Sequence, residues 1–247
     1  MTGRRYILCS LLLALGLVLE ASAQDPAEDS FRRLREKMVQ EQIADPPDYR
    51  DPVRAPEVLK AMRTVPRHHF VERKLQSSAY GDFPLPIGYG QTISQPYIVA
   101  LMTEMLDVQP GHKVLEVGAG SGYQAAVLSL LVKEVFTVEI VKELALQAEE
   151  RLKRLQYANV RVKVGDGFYG WEEEAPFDRI IVTCAASLVP PPLIKQLKPE
   201  GKMCIPVGAA YSVQYLTMVE KSETGAITMR KTIPVRFVPL TRSGKEE

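Results

Sequence analysis

The chain has 247 residues, of which 46% are apolar and 25% charged, the profile of a soluble globule with a real core in one large domain or two small ones. Its formal net charge is +1. That leaves no excess of Lys and Arg to clamp a nucleic-acid backbone, so nucleic acid is not an expected partner.

The first residues read as a targeting segment. Arg4-Arg5, the apolar run Tyr6 to Leu19 and the small residues Ala21-Ser22-Ala23 before Gln24 have the three regions of a secretory signal. The apolar run is short for a membrane span, and Arg4-Arg5 faintly resembles a twin-arginine signal. Cleavage after residue 23 would remove Arg4, Arg5 and Glu20, leaving equal numbers of basic and acidic side chains. The expected location is exported or periplasmic, without stable membrane association. An uncleaved anchor and a misassigned start are the alternatives. Cys184 and Cys204 are then the remaining cysteines; both lie in apolar runs and read as small buried hydrophobes, or as a disulfide if their geometry allows one.

Residues 24–54 form a polar extension, broken by Asp45-Pro46-Pro47-Asp48 and Asp51-Pro52. Within it the spacing of Phe31, Leu34, Met38 and Ile43 predicts one docking helix. A second helix is expected over 56–62, and residues 55–247 make up the main domain. His68-His69 invite a metal reading, but sequence neighbours do not share a helix face and no ligand cluster surrounds them, so no metal is expected. Tyr80 to Gln91 is rich in Gly, Pro and Tyr and reads as a long loop. Ser94 and Pro96 then precede a helix over 97–106, which allows Ser94 to be simply an N-cap.

From Gly111 the pattern alternates. Strands are expected at 113–117, 135–140, 160–164, 179–184 and 201–207, with helices over 123–132, 142–155 and 191–197 between them. An antiparallel tail follows, from 211–220 and 227–239. The predicted class is α/β: a Rossmann-like, doubly wound, mostly parallel sheet with an N-terminal helical extension and an antiparallel C-terminal tail.

Val114 to Tyr123 is the centre of this pattern. Glu116 and the glycines Gly118, Gly120 and Gly122 join a strand to a helix, so that backbone N–H groups can approach a ligand. The dinucleotide fingerprint wants its third glycine where Tyr123 stands, and Glu116 would repel a pyrophosphate. A cationic nucleoside without phosphates, S-adenosylmethionine (SAM), suits the corner better. The next strand ends supply Glu139, 21 residues after Gly118, to accept from ribose hydroxyls, and Asp166-Gly167 to meet a base. No Ser/His/Asp or Cys/His triad is evident.

Glu116 to Gly122, Glu139 and Gly165-Asp166-Gly167 resemble the motifs of class I SAM-dependent methyltransferases. Leu85 to Tyr97, containing Thr92-Ile93-Ser94, resembles more narrowly the protein-L-isoaspartate O-methyltransferase family. Val65 to Val71, Leu197 to Gly201, Ile205 to Gly208 and Val235 to Leu240 add to the likeness, which covers Phe31 to Leu240. The resemblance implies a repair enzyme that methylates isoaspartyl proteins and peptides with SAM, acting as a monomer. It assigns Ser94 to the active site, Gln91, Thr92 and Ile93 to the loop over SAM, Ser121 and the glycines to its methionine end, Glu139 to the ribose and Asp166-Gly167 to the adenine. The export signal and the Pro-rich stretch from Asp45 to Asp51 depart from the pattern, since the family is typically cytoplasmic. A methyltransferase for another carboxylate or a small molecule, a dinucleotide oxidoreductase and a non-catalytic binding module at the cell envelope are the other readings.

Overall fold

The computed structural model describes residues 26–244, so the expected signal at 1–23 lies outside the described residues. In chain order the elements are α1 (Pro26–Met38), α2 (Pro56–Thr64), β1 (Leu85–Gly88), β2 (Gln91–Ile93), α3 (Pro96–Met105), β3 (Lys113–Val117) and α4 (Tyr123–Ser129). They continue with β4 (Glu134–Glu139), α5 (Lys142–Arg154), β5 (Val160–Val164), β6 (Phe177–Val182), α6 (Pro191–Gln196), β7 (Leu197–Val207), β8 (Gln214–Lys221) and β9 (Ile227–Val235).

One seven-stranded sheet runs in the order β5-β4-β3-β6-β7-β8-β9, parallel from β5 to β7 and antiparallel over its last two pairs. Strand order reverses beside β3, which opens the crevice where such sheets bind ligands. Side-chain alternation splits the apolar residues into two layers. Val114, Val135 and Ile181 pack on the helical face with α2, α3 and α4, while Leu115, Val117, Phe136, Val138, Ile180 and Val182 pack on the other. Burial on both faces explains why these strands read as near-continuous apolar runs.

Residues 26–54 share the first of these layers: Met38, Val39 and Ile43 are fully buried, and Val53 nearly so. The helix begins earlier than its apolar spacing suggests, at Pro26, and passes after Met38 into a π-helical turn over Val39–Ala44. Helix α4 stops at Ser129, short of the expected 132. There the Asn159 side-chain amide donates to the carbonyls of Ser129, Val132 and Lys133, satisfying groups that a longer helix would bond internally. The loop ahead of Ser94 contains a hairpin, β1 against β2, with Leu85 opposite Ile93 and Pro86 opposite Thr92. Its turn places Gly88, Tyr89 and Gly90 at φ 91°, 54° and 71°.

Cys184 and Cys204 are both buried and free. Among the described residues no helix is long and apolar enough to cross a membrane.

Candidate active site

Beyond the C-terminal ends of β3, β4 and β6 lies a cleft with an empty volume of about 510 Å³, counted to its open mouth. Gln91, Thr92, Gly118, Gly120, Glu139 and Gly167 all line it, which brings together half of the residues singled out from sequence. The glycine corner is shaped by contacts that forbid a side chain. Gly118 has φ 98°, and a Cβ there would stand 2.5 Å from Thr183 Oγ1. A Cβ on Gly120 would meet Ile87 of the hairpin at 3.2 Å, so the hairpin carrying Gln91 and Thr92 is laid directly on the corner.

Glu139 is 6% exposed and holds the corner in place. Its Oε2 accepts from Gly120 N at 2.8 Å and its Oε1 from Val141 N at 2.9 Å. A carboxylate has about four acceptor sites, so two remain for hydroxyls of a ligand.

The other candidates stand back from the cleft wall. Gly122, φ 86°, starts α4, and its missing side chain admits Leu152 of α5, 3.1 Å from where a Cβ would be. Ser121 is buried, with its carbonyl accepting from Arg151 Nη1 at 2.7 Å. Ile93 is buried in the core, and Ser94 is half-buried between β2 and α3. The N-cap of α3 is Gln95, so Ser94 does not serve as the cap, and its hydroxyl has no hydrogen bond to another described residue. The side chain of Asp166 is turned to the C-terminal segment, whose Arg242 and Ser243 donate to its Oδ2.

Glu116 is fully buried in the sheet, opposite Thr137. Neither carboxylate oxygen has a hydrogen-bond partner, and burial pushes its pKa up to about 8. By strand alternation it faces the helical layer, as Val114 does. It backs the corner rather than lining it.

Sequence reasoning missed several residues of the cleft. Thr183 and Cys184 were expected inside a strand over 179–184, but β6 ends at Val182 and both turn to the cleft. Thr183 Oγ1 lies 2.7 Å from the carbonyl of Gly118 and 3.1 Å from that of Val117, pinning the corner from the β6 side. The rule that found Glu139, the first polar residue at a strand end, would have found Thr183 as well. The wall formed by Val238, Pro239, Leu240 and Thr241 had no such signal.

Behind Ser94, the Pro-rich stretch reaches the same loop. Arg50 pairs with Asp48 and with Asp82 at 2.8 and 2.7 Å and lies 4.6 Å over the Tyr97 ring. Tyr97 donates to the Asp51 carbonyl at 2.8 Å, and Gln95 to Asp82 at 2.9 Å. The His68-His69 pair also gains a carboxylate invisible in sequence, Glu28 of α1. His68 is buried, stacked on Phe31 at 4.0 Å, with Nδ1 2.7 Å from the Tyr80 hydroxyl and Nε2 3.3 Å from Glu28. Burial pulls its pKa down to about 4. A neutral ring with both nitrogens engaged fits a joint between α1 and the body of the protein.

Comparison with known proteins agrees with this geometry. Residues 40–245 match the family described as protein-L-isoaspartate(D-aspartate) O-methyltransferase (PCMT). The chain is 60% identical to a protein-L-isoaspartate O-methyltransferase 2 of Polaromonas sp. over 74% of this chain and 87% of the relative. It is 51% identical to a protein-L-isoaspartate O-methyltransferase 1 of Nitrosospira multiformis over 93% and 94%. A solved protein-L-isoaspartate O-methyltransferase superposes with TM-score 0.72 at 28% identity, over 87% of this chain and 66% of that one. A Plasmodium falciparum structure described as a protein of this kind, in complex with S-adenosyl-L-homocysteine, gives TM-score 0.70 at 27% identity over 85% and 98%. This chain therefore belongs to the protein-L-isoaspartate(D-aspartate) O-methyltransferase family.

Proposed function

We propose that the protein transfers a methyl group from SAM to the free α-carboxylate of L-isoaspartyl residues in damaged proteins, so that a succinimide can form and reopen in part to normal aspartate. The observation that carries this reading is the glycine corner with Glu139 at the ends of β3 and β4, in a chain of this family. The residues fit the nucleoside. Gly118 and Gly120 present bare backbone to the cleft, Glu139 keeps acceptor sites free, and Ile140 and Gly167 offer a largely apolar surface to a base.

Bound SAM supplies an electrophilic methyl on a sulfonium. The nucleophile needs no activation by the protein, because a carboxylate with a pKa near ~4 is already ionised at neutral pH. What the chain must do is orient one carboxylate oxygen and keep water out. The orienting role falls to Ser94, half-buried directly after the hairpin that packs against the glycine corner, with a hydroxyl that has no hydrogen bond to another described residue. Gln91 and Thr92 flank the cleft from the same hairpin. The apolar wall at Val238 to Leu240 helps to exclude water.

The export reading of residues 1–23 adds that the enzyme acts outside the cytoplasm; fractionation of the native host, with the protein recovered in the cytoplasm at full length, would sink it. The activity is tested by labelled-methyl transfer to an isoaspartyl peptide and to its aspartyl twin. Transfer to the first alone is expected; equal transfer to both, or none, overturns the reading. Ser94→Ala should lower kcat/KM for the isoaspartyl peptide by about ten- to a hundredfold, the loss of one hydrogen bond to a charged group, with SAM affinity unchanged. A wild-type rate in Ser94→Ala would remove the serine from this role.

A further inference from the structure

The damage carried by the proposed substrates threatens this chain itself at very few places. A succinimide forms when the backbone N–H of the next residue reaches the side-chain carbonyl carbon of an Asn or Asp. A bare glycine in the next position eases that approach, a β-branched residue hinders it, and proline has no N–H to offer. Asn159 is the sole asparagine in the sequence, and Val160 follows it. Its side-chain amide is already engaged by the carbonyls of Ser129, Val132 and Lys133. Asp25, Asp45 and Asp51 precede proline; of the other aspartates, Asp166 alone precedes glycine.

The fold does not let Asp166-Gly167 be exchanged for a safer pair. A Cβ on Gly167 would stand 2.4 Å from Cγ1 of Val117, a stiff side chain buried in β3. Asp166 Oδ1 accepts from Phe168 N at 3.0 Å, closing the turn after β5. The vulnerable pair therefore stands at the cleft, which Gly167 lines. The Asp166 side chain is 6% exposed, and its second oxygen is held from far along the chain. Oδ2 accepts from Arg242 Nε, Ser243 N and Ser243 Oγ, each at 3.1 Å. The Arg242 guanidinium is itself seated 3.7 Å over the Phe168 ring.

We propose that Asp166-Gly167 is a self-damage site of this protein, and that Arg242 and Ser243 hold its isomerisation in check. In the damage step Gly167 N bonds to Asp166 Cγ. One carboxyl oxygen leaves as water, taking the carboxyl proton and the Gly167 amide proton. Water then reopens the imide. Attack at Cγ restores aspartate, whereas attack at the α-carbonyl carbon leaves Gly167 joined through the side chain, an L-isoaspartyl link with an extra methylene in the main chain. Arg242 and Ser243 oppose the first step twice. Their bonds to Oδ2 keep the carboxyl group from turning its carbon toward Gly167 N. They also favour the ionised form, from which water leaves only after a proton is added. Burial disfavours the charge on Asp166, but the bonds from Arg242, Phe168 and Ser243 outweigh it and hold its carboxyl below the usual range. Isomerisation would displace Gly167 from the cleft and, on the reading of the cleft as a SAM site, abolish nucleoside binding.

The test ages the full chain, Arg242→Ala/Ser243→Ala and Arg242→Lys at physiological temperature and neutral pH, without SAM, in water enriched in heavy oxygen. Peptide mass spectrometry then locates isoaspartate. Folded wild type is expected to form it at residue 166 at least about tenfold more slowly than the urea-unfolded chain. The double variant, folded by circular dichroism, should form it about tenfold faster than folded wild type, with one heavy oxygen gained per event. Lysine at 242 should restore part of the protection, since it returns the charge without the planar group that stacks on Phe168. Binding of S-adenosylhomocysteine by each protein should decay from its own starting value in step with residue 166. Equal rates in folded and unfolded wild type overturn the proposal. So does a double variant with no gain at residue 166, or with an equal gain at Asp29, where general loosening rather than local control would be at work. If fresh wild type binds no S-adenosylhomocysteine, the SAM reading falls instead, and isoaspartate at residue 166 still decides whether Arg242 and Ser243 protect it.

Discussion

Glu139 and Asp166 stand at the ends of neighbouring strands, and each is a carboxylate that gathers backbone N–H groups at one wall of the cleft. They differ in reach. Glu139 bonds Gly120 and Val141, within 19 residues, in turns already fixed by the β3–β4 ladder. Asp166 bonds Phe168 nearby, and otherwise Arg242 and Ser243, 76 and 77 residues away. The first carboxylate completes a corner whose geometry the sheet dictates. The second gathers in a segment that two bonds to Ala185 and one from Phe237 N to Gln214 otherwise hold. One wall is built to be rigid, and the other to be fastened.

The contrast is sharpest where the rigid wall is broken. Gly118→Ala should have the largest effect, lowering SAM affinity more than a hundredfold in equilibrium binding. Its Cβ would meet Thr183 at 2.5 Å, and φ 98° strains any L residue. Binding within threefold of wild type would show that the corner yields. Next in size, Glu139→Ala leaves two N–H groups unpaired in a buried corner, so both affinity and stability should fall. About ten- to a hundredfold weaker SAM binding and a melting temperature lower by about 5 °C are expected from losses of ~1.5–3 kcal/mol. Arg242→Ala, at a partly exposed partner of Asp166, should move the melting point by about 2 °C or less. Equal melting shifts at the two walls would erase the distinction between them.

The last effect is read against pH and concerns Glu116, which backs the rigid wall. Its folded pKa, about 8, lies above the value near ~4.3 expected in the unfolded chain. Between those values the folded protein keeps a proton that the unfolded chain gives up. The group therefore destabilises progressively as pH rises through that window, and no further above about pH 8. Without ligand, wild type should lose melting temperature relative to Glu116→Gln between pH 5 and 8, and then run parallel to it. Parallel curves throughout would mean that Glu116 is ionised in the fold.

What could be read in the sequence follows the same division. The parallel strands announce themselves because burial on both faces writes continuous apolar runs, and strand-end chemistry located Gly118, Gly120, Glu139 and Gly167. Periodicity overran α4 because the carbonyls at its end are satisfied by Asn159, 30 residues from Ser129. The β1/β2 hairpin stayed hidden, since strands of four and three residues, the first interrupted by Pro86, have no usable period. Local pattern also could not show that Gly122 admits Leu152 of α5, or that Glu28 reaches His68. Each of these depends on a partner brought close only by the finished fold.

Arg50 has a consequence of its own. Asp45 to Asp51 breaks a helix in the sequence, yet Arg50 and Asp51 bind Tyr97 and Asp82, on both sides of the Ser94 loop. The stretch acts as a splint, stiffening from outside a loop whose serine has no brace of its own among the described residues. The seat of Ser94 is thus set in part by Arg50, from a stretch far upstream in the chain.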